Sequence, residues 1–360
     1  MGLYLGIIQR FAVEDGEVTY NSRYIESRNY LMNKEHQKIC APEIGTYGEL
    51  PWVTEGVEDE SEIKKNRLNF IQNYYPTTNS LVSVMPFHGW LLSMNESPII
   101  HLHDPYTLEV VHEIDIRESP KLPDTFRIAT MTAHGMYDLD DGTYWNSGVG
   151  LDLSGPFPRV GYYVVKSENA YHGFNRRATP QEILNSLEFS EIAHNKNPLD
   201  ISIGYYHMFG ITDNFIILPL SSVKMDSKML FSEMLNAQPL INVSFRSFEP
   251  RKWPSTLFKA LVYDPEQNYI YKIFNKKTFR WELVEFESEP GVQTHLINAY
   301  ESTPGVIKID TLLAGNGDAM SLMMFEHMNK TGQDLLDVFE LMAPIGITTQ
   351  VSYRFLTVTV

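Results

Sequence analysis

The sequence predicts an all-β fold, on three observations. Short runs rich in Val, Ile, Phe, Tyr and Thr alternate with the Gly, Pro, Asp and Asn residues that favour turns. Aromatic residues, which favour strands, make up 12% of the chain. Helical periodicity is scarce, being clearest over residues 318–327 and 332–342 and weaker over residues 181–192. Many short strands at near-regular spacing favour a sandwich, a barrel or a propeller over an α/β fold.

The first predicted element is a hairpin over residues 5–13 and 17–24, because Asp15-Gly16 between them is typical of a two-residue turn. Next come strands over residues 80–94, 98–103 and 107–116, the last two separated by an Asp104-Pro105 turn. The later predicted strands cover residues 159–166, 214–220, 258–264, 269–274, 279–286 and 305–313. With 360 residues the chain is long enough for one large β domain or for two ordinary domains.

The composition excludes some classes of function. A formal net charge of −16 argues against nucleic-acid binding, which requires basic patches, but is compatible with a neutral, lipid-like substrate. The single cysteine, Cys40, excludes an internal disulfide and favours a reducing compartment, so a cytoplasmic location is expected. No uninterrupted apolar run reaches the length of about 18 residues that a membrane-spanning helix requires.

Three histidines in short strand-like contexts are the most informative residues. His134, His207 and His295 are separated by 73 and 88 residues. A propeller blade takes roughly 40–50 residues, so each separation corresponds to about two blades. Side chains that recur at every second blade converge on the axis of a propeller. Three imidazoles meeting there would offer neutral nitrogen ligands, which suit iron, copper or zinc better than calcium or magnesium.

The segments around these histidines resemble motifs of the carotenoid cleavage oxygenase family. Residues 205–215 resemble its His-Ser-Phe-Gly-(Leu/Met)-Thr-x-Asn-Tyr-Ile stretch, and residues 294–301 resemble its Phe-His-x-Ile-Asn-Ala-(Tyr/Phe)-Glu stretch. Ala133-His134, followed by residues 141–148, is similar to the family's Ala-His-Pro-His and Asp-Gly-Thr stretches. The hairpin also matches, so the resemblance runs in order from about Leu5 to about Leu313.

This resemblance implies a seven-bladed β-propeller with Fe(II) on its axis, held by four histidines from different blades. It makes His134, His207 and His295 three of those ligands. It also places Glu96 on a glutamate that supports a ligand histidine from outside the metal centre. The family's fourth histidine lies in a Phe-His-Gly motif near the C-terminus, and the last residues of this chain carry no such motif. We therefore expect residues 1–360 to form a single, incomplete propeller domain of about four to five blades.

The resemblance further implies an Fe(II)-dependent dioxygenase that adds O2 across a double bond of a carotenoid or apocarotenoid. Two alternatives stay open: a retinoid isomerohydrolase that uses iron as a Lewis acid, and an inactive lipid-binding fragment of the same fold. Residues 66–76 match the position of the family's membrane-facing loop, which predicts a reversible peripheral membrane contact. His101 and His103 alternate on a predicted strand and are interpreted as a surface pair.

Overall fold

The structure is a computed structural model in which β-strands predominate. The described residues are 5–40, 59, 61–62, 77–171, 173–196, 203–225, 261–288, 290–293, 295–303, 305–313 and 352–359. Within them, α-helices span Arg28–His36 (α1) and Pro180–Ser186 (α2). No helix in this part of the chain is long and apolar enough to cross a membrane. The predicted helices at residues 318–327 and 332–342, and the segment 66–76, lie outside the described residues.

The predicted N-terminal hairpin is confirmed. Its strands are Ile7–Glu14 (β1) and Glu17–Tyr24 (β2). Asp15 and Gly16 form the two-residue loop with φ of 49° and 82°, the positive values that such a turn requires at both positions.

Two antiparallel sheets follow, each with its main strands adjacent in chain order. The strands of the first sheet are Ser83–Phe87 (β3), Trp90–Met94 (β4), Ile99–His103 (β5) and Val110–Asp115 (β6). The strands of the second sheet are Phe126–Met131 (β7), Met136–Tyr137 (β8), Tyr144–Asp152 (β9), Arg159–Ser167 (β10), Glu188–Phe189 (β11) and Ala193–His194 (β12). Strands β7 and β8 both pair with β9.

The later strands form one small sheet and two larger ones. The small sheet contains Ile203–Gly204 (β13), Val223–Met225 (β16) and Leu261–Tyr263 (β17). The third large sheet contains Gly210–Ile211 (β14), Phe215–Leu220 (β15), Tyr269–Asn275 (β18) and Arg280–Ser288 (β19). The fourth contains Leu296–Thr303 (β20), Val306–Leu313 (β21) and Ser352–Thr359 (β22).

Consecutive large sheets pack face to face through shared apolar cores. One core contains Leu102 of the first sheet and Tyr163 of the second. The next contains Val164 of the second sheet and Leu218 of the third, and another joins the third sheet to Ile307 of the fourth. Sheets stacked in chain order, each buried between its neighbours, are the blades of a propeller. The described residues form four blades of the incomplete propeller that the sequence predicts.

Two expectations for the first blade were wrong. The strand predicted over residues 80–94 is interrupted at His88 and Gly89, whose φ values of 47° and 83° make a second two-residue turn between β3 and β4. His101 and His103 are not a surface pair, because both are fully buried. They lie on β5, an inner strand of the first sheet, where every residue is buried. Alternation placed them correctly on one face, but neighbouring elements cover that face.

Candidate metal centre

Each of the three predicted histidines lies where the edge strand of a different sheet begins or is broken. His134 lies in the gap between β7 and β8, which pair with the same neighbouring strand. His207 lies between β13 and β14, where the chain passes from the small sheet to the third blade. His295 directly precedes β20, the edge strand of the fourth blade. At these positions the side chains are released from the strand pleat and turn towards one point.

The three imidazoles converge. One ring nitrogen from each of His134, His207 and His295 lies within 4.8 Å of the other two. The Nε2 atoms of His134 and His207 are 3.0 Å apart, and the ring centroids are separated by 4.7 to 5.2 Å. Among the described residues, this is the group of histidines, cysteines and carboxylates close enough to hold one metal ion.

Glu96 supports His207 from the outer side of its ring. Its Oε1 atom accepts a hydrogen bond from Nδ1 of His207 at 2.6 Å and another from the hydroxyl of Tyr205 at 2.5 Å. Glu96 is 7% exposed, so its carboxylate is largely shielded from water. Because Nδ1 of His207 carries the proton in this bond, the lone pair of Nε2 faces the other two histidines.

Tyr205 belongs to the centre and was not found from the sequence. It is buried, and burial together with the charge of Glu96 raises its pKa well above the usual range, so the hydroxyl stays protonated and donates. The available signal was its position two residues before His207, which places both side chains on one face of an extended segment.

The backbone around His134 is fixed by close packing. A Cβ atom at Gly135 would overlap the ring of Tyr144, so only glycine fits beside this histidine. The carbonyl oxygen of Ala133 accepts a hydrogen bond from Oγ of Ser83 at 2.5 Å. The amide nitrogen of Ala133 donates to the carbonyl oxygen of His207 at 3.3 Å, which ties the first histidine segment to the second.

The donor set fits a divalent first-row transition metal. Burial, together with the nearby His207 and His295, lowers the pKa of His134 to about 4, and burial also lowers the pKa of His295. Both imidazoles are therefore neutral near pH 7, the form that binds a metal. Two nitrogen ligands about 2.1 Å from one ion and at a right angle to each other lie about 3.0 Å apart. The measured separation of 3.0 Å between His134 and His207 matches that arrangement.

A Phe-His-Gly triplet does occur at residues 87–89, far from the C-terminus. The structure places His88 in the turn between β3 and β4, with its Nε2 atom 2.7 Å from Oγ of Ser167. His88 is not part of the converging group of histidines in the described residues. The triplet therefore does not supply a fourth member of the centre.

Comparison with known proteins identifies relatives that match most of this chain. The sequence profile of the family described as RPE65, Retinal pigment epithelial membrane protein, matches residues 5–349. Beta,beta-carotene 15,15'-dioxygenase of Mus musculus is 23% identical over 91% of this chain and 51% of that protein. Carotenoid isomerooxygenase of Galleria mellonella is 24% identical over 88% of this chain and 53% of that protein. The chain thus spans about half the length of the curated relatives it matches.

Solved structures show the same fold. The lignostilbene dioxygenase of Pseudomonas brassicacearum superposes with a TM-score of 0.52 at 16% identity, covering 86% of this chain and 50% of that one. The cobalt-substituted ACO of Synechocystis superposes with a TM-score of 0.55 at 13% identity, covering 86% of this chain and 52% of that one. These likenesses agree with the propeller arrangement of the four blades.

Proposed function

The chain belongs to the RPE65 (Retinal pigment epithelial membrane protein) family, and we propose that the protein is an iron(II)-dependent dioxygenase that cleaves a double bond of a carotenoid or apocarotenoid. The convergence of His134, His207 and His295 from three sheets carries this proposal, because it provides three imidazole nitrogens at one point. The names of relatives that are carotene dioxygenases or carotenoid isomerooxygenases support the substrate class.

His134, His207 and His295 are the residues that would hold the ion. An iron(II) ion at this position would supply O2 chemistry that amino-acid side chains lack. The chain contributes the geometry: Glu96 keeps the proton of His207 on Nδ1, and Tyr205 holds Glu96 in place. In the overall reaction one carbon–carbon double bond breaks, O2 is consumed, and two carbonyl groups form with one oxygen atom each.

Incubation of the iron-loaded chain with β-carotene or an apocarotenal under ¹⁸O2 tests the reaction. We expect each of the two carbonyl products to carry one ¹⁸O atom, with product analysis fast enough to limit exchange with water. No carbonyl products from the polyene, together with conversion of a retinyl ester to an isomerised alcohol whose hydroxyl oxygen comes from water, would contradict dioxygenation and favour Lewis-acid chemistry of the isomerohydrolase type. An iron-loaded chain that binds the polyene without converting it would instead favour an inactive lipid-binding protein.

The His207→Ala variant tests the metal centre, and His36→Ala is its matched control. We expect His207→Ala to lose bound iron and carbonyl products together, because it removes the ligand that Glu96 orients. His36→Ala changes a histidine at the end of α1 and should retain both. Full iron occupancy in His207→Ala would contradict the assignment.

We also propose a cytoplasmic location and a reversible contact with a membrane. The membrane contact is expected because an extended polyene substrate partitions into the bilayer. Flotation of the chain with phospholipid vesicles tests this contact. Flotation of the wild type that is lost when Phe70 and Tyr74 are replaced by serine would support the membrane contact. Equal flotation of the wild type and the variant would contradict it.

A further inference from the structure

A short turn after His207 is held by the segment that carries His295. Thr212 and Asn214 lie five and seven residues after His207, and Glu301 lies six residues after His295. Oε1 of Glu301 accepts hydrogen bonds from Oγ1 of Thr212 at 2.7 Å and from the amide nitrogen of Asn214 at 2.9 Å. Its Oε2 atom accepts from Nδ2 of Asn214 at 2.7 Å. All the contacts run from the third blade to the fourth.

The same turn is held from its other side by the segment that carries His134. Nζ of Lys276 donates to the carbonyl oxygen of Thr212 at 2.8 Å and to Oδ2 of Asp138 at 2.5 Å. Asp138 lies four residues after His134. The side chain of Lys276 is only 6% exposed, so this ion pair is largely shielded from water. Charge-assisted hydrogen bonds of this kind are stronger than neutral ones.

Both carboxylates of this arrangement stay ionised. Burial raises the pKa of Asp138, but the hydrogen bond and charge of Lys276, together with the backbone hydrogen bond from Asp140, lower it more. Burial likewise raises the pKa of Glu301, and the hydrogen bonds from Asn214 and Thr212 outweigh it. The bonds therefore persist at neutral pH.

A backbone feature shows how closely two of the segments approach. A Cβ atom at Gly210 would lie 3.2 Å from Cβ of Ala299, so β14 and β20 touch at a point between His207 and the turn. The position of one histidine segment is thus sensitive to the position of the other. The hydrogen bonds from Thr212 and Asn214 to Glu301 lie just beyond this point and fix how β14 and β20 sit against each other.

We propose that Asp138, Thr212, Asn214, Lys276 and Glu301, which we call the positioning network, set the spacing of His134, His207 and His295. The network joins the three histidine segments at a distance of four to seven residues from each histidine. Its members do not contact the metal ion; they are positioning residues for the metal centre. This inference rests on the proposed metal centre and extends it.

Cobalt(II) titration of the purified chain and of network variants tests this inference. Glu301→Gln keeps one acceptor oxygen but sets an amide group against the amide of Asn214, and Lys276→Met removes the bridge to Asp138. Each variant is expected to bind cobalt about tenfold more weakly, the size of effect that outer groups have at metal sites. The visible d–d bands of bound cobalt should also change, because they report the arrangement of its ligands.

Asp104→Asn is the matched control. Asp104 is a partly buried carboxylate that pairs with Arg177 at 2.8 Å in the first blade, which supplies none of the three histidines. Loss of this ion pair should lower the unfolding temperature of Asp104→Asn without changing its cobalt affinity or spectrum. If Glu301→Gln does not fold, Thr212→Val removes the hydrogen bond that Oγ1 donates to Glu301 and those that it accepts from the amides of Asn214 and Phe215. Thr212→Ser keeps the hydroxyl and should restore the wild-type spectrum.

The outcomes separate the two proposals. Wild-type cobalt affinity and spectrum in the folded network variants would overturn the positioning role while leaving the metal centre intact. A loss of affinity in Asp104→Asn equal to that in Glu301→Gln would overturn it as well, because the effect would then be general destabilisation. A wild-type chain that binds no cobalt would overturn the metal centre itself and the network's role with it.

Discussion

At the scale of single residues, the hydrogen bond between Glu96 and His207 decides how the second imidazole faces the other two. The carboxylate of Glu96 is nearly buried and accepts from both Nδ1 of His207 and the hydroxyl of Tyr205. An imidazole oriented in this way presents a fixed lone pair and is a stronger base towards a metal. The resemblance to family motifs singles out the three histidines and Glu96, whereas for Tyr205 the sequence offers only its spacing of two residues from His207, and its contact with Glu96 joins residues 109 positions apart.

Glu96→Gln is expected to weaken cobalt(II) binding about tenfold, because the amide lacks the negative charge that strengthens the imidazole ligand. The dissociation constant is measured by competition with a chromophoric chelator. Glu109→Gln is the control, since Glu109 forms an exposed ion pair with Arg23 and should leave the constant unchanged. An unaltered constant in Glu96→Gln would remove Glu96 from the centre.

His103 makes stability depend on pH. Burial lowers its folded-state pKa to about 4, whereas the unfolded chain takes up the proton below about pH 6.5. The free energy of unfolding therefore falls as the pH is lowered from about 6.5 to about 4. Through His103 alone, lowering the pH from about 7 to about 5 lowers the free energy of unfolding by about 2 kcal/mol.

Urea denaturation of the wild type and of His103→Gln near pH 7 and near pH 5 checks this dependence. The wild type should lose about 2 kcal/mol more than the variant over that interval, since the variant has no imidazole to protonate in the unfolded state. Equal losses would show that His103 is not the group responsible.

At the scale of elements, the two tight turns show what the sequence predicts and what it does not. Asp15-Gly16 was recognised because Asp-Gly is a common sequence for a turn with two positive φ values. His88-Gly89 adopts the same geometry, but Phe87 and Trp90 on either side favour strands, so the sequence pattern predicts one long strand here. Strand propensity correctly predicts β3 and β4 on either side of the turn. The turn between them requires the positive φ of Gly89.

The two turn glycines should differ in their sensitivity to alanine. Gly16→Ala adds only backbone strain, about 1–2 kcal/mol, because nothing lies within 4 Å of the new Cβ. Gly89→Ala should cost at least about 3 kcal/mol, since its Cβ would also overlap the carbonyl oxygen of Arg176. Chemical denaturation of both variants measures the difference. Equal costs would mean that the turn at Gly89 is not packed as described.

At the scale of the whole molecule, successive blades share apolar cores. This packing explains why the predicted propeller is confirmed and why the predicted surface pair of His101 and His103 is wrong. The alternation of short strands and turns, together with the histidine spacing, was enough to predict a propeller. Alternation also put His101 and His103 on one face of a strand, but it does not reveal what covers that face. In stacked blades both faces of an inner strand are covered, so the interpretation as a surface pair failed.

Leu218 and Leu283 provide a matched test of the shared cores. Leu218 is fully buried in the core between the second and third blades, and Leu283 is fully exposed on β19 of the third blade. Leu218→Ala should lower the free energy of unfolding by about 3 kcal/mol, with Leu283→Ala within about 0.5 kcal/mol of wild type. Similar effects of the two substitutions would contradict the packing between these blades.

X-ray absorption at the cobalt edge tests the central claim most directly, because it counts the imidazoles bound to the ion. For the cobalt-loaded chain we predict three imidazole nitrogens at about 2.1 Å, from His134, His207 and His295, and no specific binding in His207→Ala. A spectrum with only oxygen ligands, or one unchanged in His207→Ala, would show that the three rings do not share an ion.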